Sequence, residues 1–368
     1  MTTIHRVYNF AAGPAVMPLP VLEEIKRDML ALPATGMSIL EISHRSKAFE
    51  SILAQAEADM RALANIPSNY RVLFLQGGAS LQFSMVPMNL LTPGATADYI
   101  DSGRFADLAI KEARKVGAVN VAASTKGENY ARLPLPSELK LTPGAAYAHI
   151  TSNNTIEGVE YKQPPDLAPG VPLVSDTSSH MFSRPIDVSR HALIYAGAQK
   201  NMGPAGLTIV IIRDDMIARS KAAPATLPTM LNYAVMAENN SLYNTPPAFS
   251  IYALGLVMKW LIAQGGLAAM LTINERKAAK LYAEIDRTGF YRGVVTHKPD
   301  RSLMNVTFRL ATEDLEKQFI KESTAAGLDG LKGHRAVGGM RASIYNAFPE
   351  AGVDALVGFM KDFERRNG

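Results

Sequence analysis

Residues 70–83 read YRVLFLQGGASLQF: an apolar run, two glycines, and an immediate restart on helical spacing. The run is short and rich in strand-forming residues, so it reads as a buried strand, with Gly77 and Gly78 as a tight turn and SLQFSMVPMNLL as the helix that follows. Outward from this unit the same strand, turn and helix order recurs. ADYIDSG precedes the helical RFADLAIKEARKVG, and NVAAS, AAYAHITSNNTIEG, VPLVSDTSS, HALIYAGAQ and LTIVIIRD supply further short apolar strands. Alternation of this kind predicts an α/β fold, a largely parallel sheet sandwiched by helices.

Upstream, PLPVLEEIKRDMLAL and KAFESILAQAEADMRALANI carry apolar residues at helical spacing on either side of the loop PATGMSILEISHRS. Downstream, residues 250–289 form a long helical stretch interrupted at QGG, and SLMNVTFRLA, DLEKQFIKESTAAGL and GVDALVGFMKDFERRN predict a smaller α+β domain. The expected organisation is an N-terminal segment, 1–15, that reaches the active site, a large α/β domain, 16–257, and a small C-terminal α+β domain, 258–368.

The 368 residues are 47% hydrophobic and 20% charged, the composition of a globular protein with a sizeable core. The net charge of +4 is dispersed, which argues against a nucleic-acid surface. Absence of cysteine excludes disulfides, thiolate catalysis and cysteine-ligated metal. No run approaches the length of a membrane span, about eighteen apolar residues, and the first twenty residues lack the pattern of a signal peptide. The expected location is the cytoplasm, and no metal is expected.

In open α/β sheets ligands gather beyond the carboxyl ends of the strands. Ala79 and Ser80 follow the glycines at a helix start, where free amides can hold a phosphate, although a plain turn reads equally well. Thr155, beside Asn153 and Asn154, fits turn chemistry. Asp176 ends an apolar run, where a lone carboxylate must be solvated, capping a helix or paired with a cation. Lys200 follows another run, 24 residues later, within the glycine-rich AGAQKNMGPAG. A surface lysine in a turn is the plain reading; the glycines instead permit close approach to a ligand. Pyridoxal phosphate (PLP) would use both ends, since it needs an amine for its aldehyde, an acid for its ring nitrogen and amides for its phosphate. His44 and Arg45 in SHRS are a solvated pair or an anion site on composition alone, whereas GHRAVGGMRAS places His334, Arg335 and Arg341 together with no acid between them, which favours an anion site.

The strings YNFAAGPAVMP, ISHRSKAFE, FLQGGASLQF, SNNTIEG, SDTSS, AGAQKNMGPAG, YNTPPAFSIY and GHRAVGGMRASIYNA run almost from end to end of the chain. In them the chain resembles the phosphoserine aminotransferase family, PLP-dependent class-V enzymes of fold type I. The resemblance implies that Lys200 binds the cofactor covalently and moves the substrate proton, and that Asp176 partners the ring nitrogen. It implies further that Ala79, Ser80 and Gln199 hold the cofactor phosphate, that Thr155 lies near the ring oxygen, and that Asn244 and Thr245 reach the phosphate of a neighbouring subunit. A homodimer with active sites shared across its interface follows. Arg45 is implied as the α-carboxylate clamp, with His44, His334, Arg335 and Arg341 reading the substrate phosphate or the glutamate side chain.

Two positions depart from the family pattern. Phe105 stands where many members stack a tryptophan on the ring, the chain's one tryptophan being Trp260, and Ser80 stands where some members carry an arginine. The reaction implied is transamination between L-glutamate and 3-phosphohydroxypyruvate, giving 2-oxoglutarate and O-phospho-L-serine in serine biosynthesis. Action on 3-hydroxy-2-oxo-4-phosphooxybutanoate, the four-carbon homologue used in vitamin B6 synthesis, is left open. The alternatives are an alanine–glyoxylate or serine–pyruvate aminotransferase on the same fold, and a PLP-binding regulator without turnover. No DNA-binding appendage or coiled coil supports the regulator, and a cysteine desulfurase would need a thiol.

Overall fold

A computed structural model describes residues 6–33 and 35–368. The chain opens with β1 (Tyr8–Asn9), α1 (Leu19–Asp28) and α2 (Lys47–Ala64), continues through β2 (Tyr70–Leu75), α3 (Gly78–Leu90), β3 (Thr96–Asp101), α4 (Arg104–Ala113) and β4 (Ala118–Ser124), and then runs β5 (Ala148–Thr151), β6 (Leu173–Asp176), β7 (Leu193–Gly197) and β8 (Thr208–Arg213). After α5 (Asp214–Lys221), α6 (Tyr233–Glu238), α7 (Ala248–Ala263) and α8 (Gly266–Ile285) come β9 (Arg292–Gly293), β10 (Asn305–Arg309), α9 (Glu313–Ala325), β11 (Leu328–Asp329), β12 (Met340–Ser343) and α10 (Glu350–Asn367).

Seven strands form one sheet in the order β2-β8-β7-β6-β5-β3-β4. All are parallel except β8, which runs antiparallel to both neighbours. The exception has a topological cause. Residues 198–207 join β7 to β8 without a helix, and a parallel return needs a crossover of roughly a dozen residues or more. The strands are apolar on both faces because both are covered. Ile194, Ala196, Ile209 and Ile211 pack with α2 and α7, whereas Leu193, Tyr195, Val210 and Ile212 pack on the opposite side with α3 and α4.

Ser46 caps α2 by accepting the Phe49 amide, and Asn65 ends it in the left-handed conformation, φ 48°. The break at QGG is real: Gly265 and Gly266 have φ 94° and 75°, and the axes of α7 and α8 differ by 82°. Among the described residues no single helix is long and apolar enough to cross a membrane. The 257/258 boundary expected from the sequence falls within α7, whose buried residues pack in the large core. The change of core comes along α8, with Leu267 and Met270 in the large core and Ala278, Leu281 and Ile285 in the small one.

The smaller sheet, β9-β10-β12, is antiparallel. Phe10 belongs to its core and packs on Phe348 at 4.4 Å between ring centroids, while β1 pairs with β11. The N-terminal segment therefore leaves the small domain and crosses to the large one, where the Ala15 amide donates to the Gln199 carbonyl at 2.8 Å. Residues 1–5 of the expected segment 1–15 lie outside the described residues.

Candidate active site

The register Thr151↔Asp176↔Tyr195 brings the carboxyl ends of β5, β6 and β7 level. Thr155 and Lys200 lie just beyond two of these ends, and Asp176 is the last residue of the strand between them. Lys200 Nζ donates to Thr155 Oγ1 at 2.5 Å. Asp176 is 4% exposed; its Oδ1 accepts the Ser178 amide at 2.9 Å, and its other oxygen has no hydrogen bond among the described residues.

Burial dominates the electrostatics of this pair. It lowers the Lys200 amine from 10.5 to about 8, with the Asp176 charge opposing and the Arg341 charge adding. It raises the Asp176 carboxyl above its ordinary range, against the Ser178 hydrogen bonds and the Lys200 charge. The result is an amine that gives up its proton near pH 8, with a buried carboxylate close enough for their charges to interact.

Phe105, in the first turn of α4, places its ring centroid 5.4 Å from Lys200 Nζ. Ala79 and Ser80 lie in the first turn of α3, behind Gly77 and Gly78 at φ 85° and 64°, where a helix leaves its amides unpaired. Gln199 is half-buried, and a Cβ on Gly197 would stand 2.5 Å from its Oε1, so a larger residue there would displace that amide.

The basic C-terminal segment is not one loop. Arg341 lies on β12, paired with Thr307 of β10, and its guanidinium donates to the Thr155 carbonyl at 3.2 Å. Its Nε–H is buried with no partner, a vacancy that an anion can fill. His334 and Arg335 occupy the turn before β12, which bends through Gly338 and Gly339 at φ 74° and 65°. Burial, then the charges of Arg341, Arg335 and Arg104, hold His334 below the usual imidazole range.

Four expected residues have other hydrogen-bond partners. Arg45 is exposed before α2, and its Nε–H donates to His44 Nε2 at 3.3 Å. Thr245 offers its carbonyl to Gln76 at 3.4 Å and to Asn244 at 3.1 Å. Among the described residues no hydrogen bond or ion pair joins any of the four to Lys200, Thr155, Asp176 or Arg341.

Glu157 was not singled out by the sequence reading. It is 2% exposed, and its Oε1 accepts the Arg104 amide at 2.9 Å, capping the helix that carries Phe105. Its Oε2 and the Asn154 Oδ1 are both buried without partners, and lie 2.8 and 2.3 Å from where a Cβ on Gly103 would sit. Burial raises this carboxyl to about 7. A cap delivered from 53 positions away has no local signature, so only Glu157's place in SNNTIEG could have drawn notice.

The group fits PLP. A flat ring has Phe105 as a wall, a protonated ring nitrogen has the free oxygen of a buried Asp176, an aldehyde has the lowered Lys200 amine, and a phosphate has the first-turn amides of α3.

Known proteins place the chain in the same setting. It is 54% identical over 365 residues to a phosphoserine aminotransferase of Desulfosudis oleivorans, covering 99% of each chain. The solved phosphoserine aminotransferase from Bacillus circulans subsp. alkalophilus matches with a TM-score of 0.95 at 51% identity over 99% of both chains. A PLP-bound phosphoserine aminotransferase from Trichomonas vaginalis matches at 0.92 and 39%, covering 97% of this chain and all of that one, 100%. The family model for aminotransferase class-V matches residues 7–356, so the chain belongs to the class-V aminotransferase family.

Proposed function

We propose that the chain is a PLP-dependent transaminase that exchanges an amino group between L-glutamate and 3-phosphohydroxypyruvate, forming 2-oxoglutarate and O-phospho-L-serine in serine biosynthesis. The observation that carries the reading is the convergence on Thr155 of Lys200 and of Arg341, whose Nε–H is unpaired, with Asp176 close enough for its charge to act on the lysine. The full-length likeness to phosphoserine aminotransferases supports the substrate pair.

When bound, PLP supplies an aldehyde for the amino group and an electron-withdrawing ring. Lys200 anchors it, and its amine, titrating near 8, can accept and return the proton at the substrate α-carbon. Asp176 keeps the ring nitrogen protonated, Phe105 covers the ring, Thr155 reaches its oxygen, and Ala79, Ser80 and Gln199 hold the phosphate. Arg341, rather than Arg45, is read as the α-carboxylate clamp, because it is the arginine that touches Thr155 and retains an unpaired N–H. His334 and Arg335 stand next to it to read the far anion of the substrate.

His44, Arg45, Asn244 and Thr245 are read as contributions to the site of a second subunit in a twofold homodimer. Leu30, Met37 and Leu40, exposed by 87%, 45% and 65% on the segment leading to Arg45, accord with a surface that a second copy covers. A cytoplasmic location accords with small, freely diffusing metabolites as substrates.

A half-reaction panel tests the reading. Glutamate should abolish the visible absorption band of the loaded enzyme, and 3-phosphohydroxypyruvate should restore it faster than hydroxypyruvate or pyruvate. Inclusion of the four-carbon phosphorylated keto acid decides the vitamin B6 branch. Equal rates for the phosphorylated and unphosphorylated three-carbon acids would overturn the assignment.

A further inference from the structure

Arg104 is a cation that the reading above leaves unused. It opens α4 directly before Phe105, with its side chain 48% exposed. A helix disfavours a cation at its amino end, so the position needs a reason other than the stability of α4. Its ion pair among the described residues is Asp107 at 3.9 Å, a carboxylate already held by Lys111 at 2.7 Å and by Lys126 at 3.5 Å. Three cations therefore share this carboxylate.

Arg104 lines a cavity of about 680 Å³ together with Lys126, Glu157, Arg309 and Val337. The acids on its wall are spent or tend to neutrality: Glu128 is bound by Arg132, and burial pushes the Glu157 carboxyl up to about 7. Arg309 is also spent, donating to Glu316 and to the Val337 carbonyl. Lys126 and Arg104 are therefore the cations that face the cavity with least neutralisation. Across it, Ala336 and Val337 continue directly from His334 and Arg335, and His334 is close enough to Arg104 to be held down partly by its charge. The main chain of Arg104 is fixed from beneath, since its amide is the one Glu157 holds. Phe105, the next residue, has its ring centroid 5.4 Å from Lys200 Nζ, so the Arg104 side chain starts one residue from the wall of the lysine site.

We propose that Arg104 is a specificity-determining residue that binds the substrate phosphate from the α4 side of the cleft, opposite His334 and Arg335. The inference rests on the phosphorylated-substrate reading given above. Arg104 stands one residue from the ring that faces Lys200 and its charge reaches His334, so its planar guanidinium is placed to pair with two oxygens of the phosphate on a substrate held at Lys200 and Arg341.

The test uses the loaded full-length enzyme with Arg104→Ala and Arg104→Lys. Loss of one charge-assisted contact predicts a fall of about 10- to 100-fold in kcat/KM for 3-phosphohydroxypyruvate, mainly through KM, and a comparable weakening of inhibition by inorganic phosphate. Glutamate, with a single negative charge at that end, should lose less, and hydroxypyruvate should stay within about twofold. Arg104→Lys should recover part of the loss. The visible spectrum and the unfolding temperature of Arg104→Ala should match wild type, because the substitution removes a cation from a helix amino end. An equal fall for phosphorylated and unphosphorylated acids, or no fall for either, would overturn the role of Arg104 while leaving the transaminase reading intact. A wild-type enzyme indifferent to the phosphate would instead overturn the substrate reading, and this proposal with it.

Discussion

Lys200 should oppose folding of the cofactor-free protein at neutral pH, and Lys200→Met should relieve that opposition. Burial takes the amine from 10.5 to about 8, and each pKa step of one between folded and unfolded chains is worth about 1.4 kcal/mol. The penalty is therefore about 3 kcal/mol at every pH below about 8, where both states carry the proton. Between about 8 and 10.5 the unfolded chain still binds a proton that the folded chain has released, so stability rises with pH across that window. Above it the penalty is gone. The substitution also removes the bond to Thr155 Oγ1, at a cost of about 1 kcal/mol, which leaves a net gain of about 2 kcal/mol at pH 7. Asp176 loses an opposite charge in the variant and answers by taking up a proton more readily. Urea unfolding of the stripped proteins, followed by circular dichroism from pH 6 to pH 10, reads both effects. Lys277, which is buried, and Lys162 are lowered as well, so the informative quantity is the difference between wild type and variant, which cancels them. Identical midpoints at pH 7, or an unaltered rise between pH 8 and 10 in Lys200→Met, would refute the reasoning.

Three further outcomes follow from the same geometry. Asp176→Asn keeps an acceptor for the Ser178 amide but removes the charge, so single-turnover amino transfer from glutamate should slow by at least about a hundredfold. Gly103 has extended backbone and no conformational need for glycine, yet a Cβ there would stand 2.3 Å from Asn154 Oδ1 and 2.8 Å from Glu157 Oε2; Gly103→Ala should cost about 1–3 kcal/mol, read as a lowered unfolding temperature. Glu157→Gln should stabilise the protein by about 3 kcal/mol above pH 7 and leave it unchanged near pH 4. The sign follows from a folded pKa of about 7 against an ordinary 4.5: wild-type stability falls as pH rises between those values, and the neutral amide removes the fall. Guanidinium melts at pH 4 and pH 8 compare the two proteins, and parallel pH profiles would count against a buried, proton-binding Glu157.

The sequence by itself determined the alternation of strands and helices, because strands covered on both faces must be apolar throughout, and it marked Lys200 and Asp176 as polar residues placed just past such runs. It located the QGG break and the helices around it, since glycine in left-handed geometry is a local requirement. The reversal of β8, the passage of Phe10 into the small domain's core and the handover between cores along α8 were decided by tertiary structure, as each depends on what packs against what. The site divides in the same way. Residue types marked Lys200 and Asp176 as candidates, but only folding showed that Arg341 leaves the basic turn to reach Thr155, that Arg45 stays in solvent within its own chain, and that Glu157 holds the first residue of α4. The Arg341–Thr155 and Glu157–Arg104 contacts join residues 186 and 53 positions apart, and their energies come from burial and from unpaired hydrogen-bonding groups, which no local stretch of sequence displays.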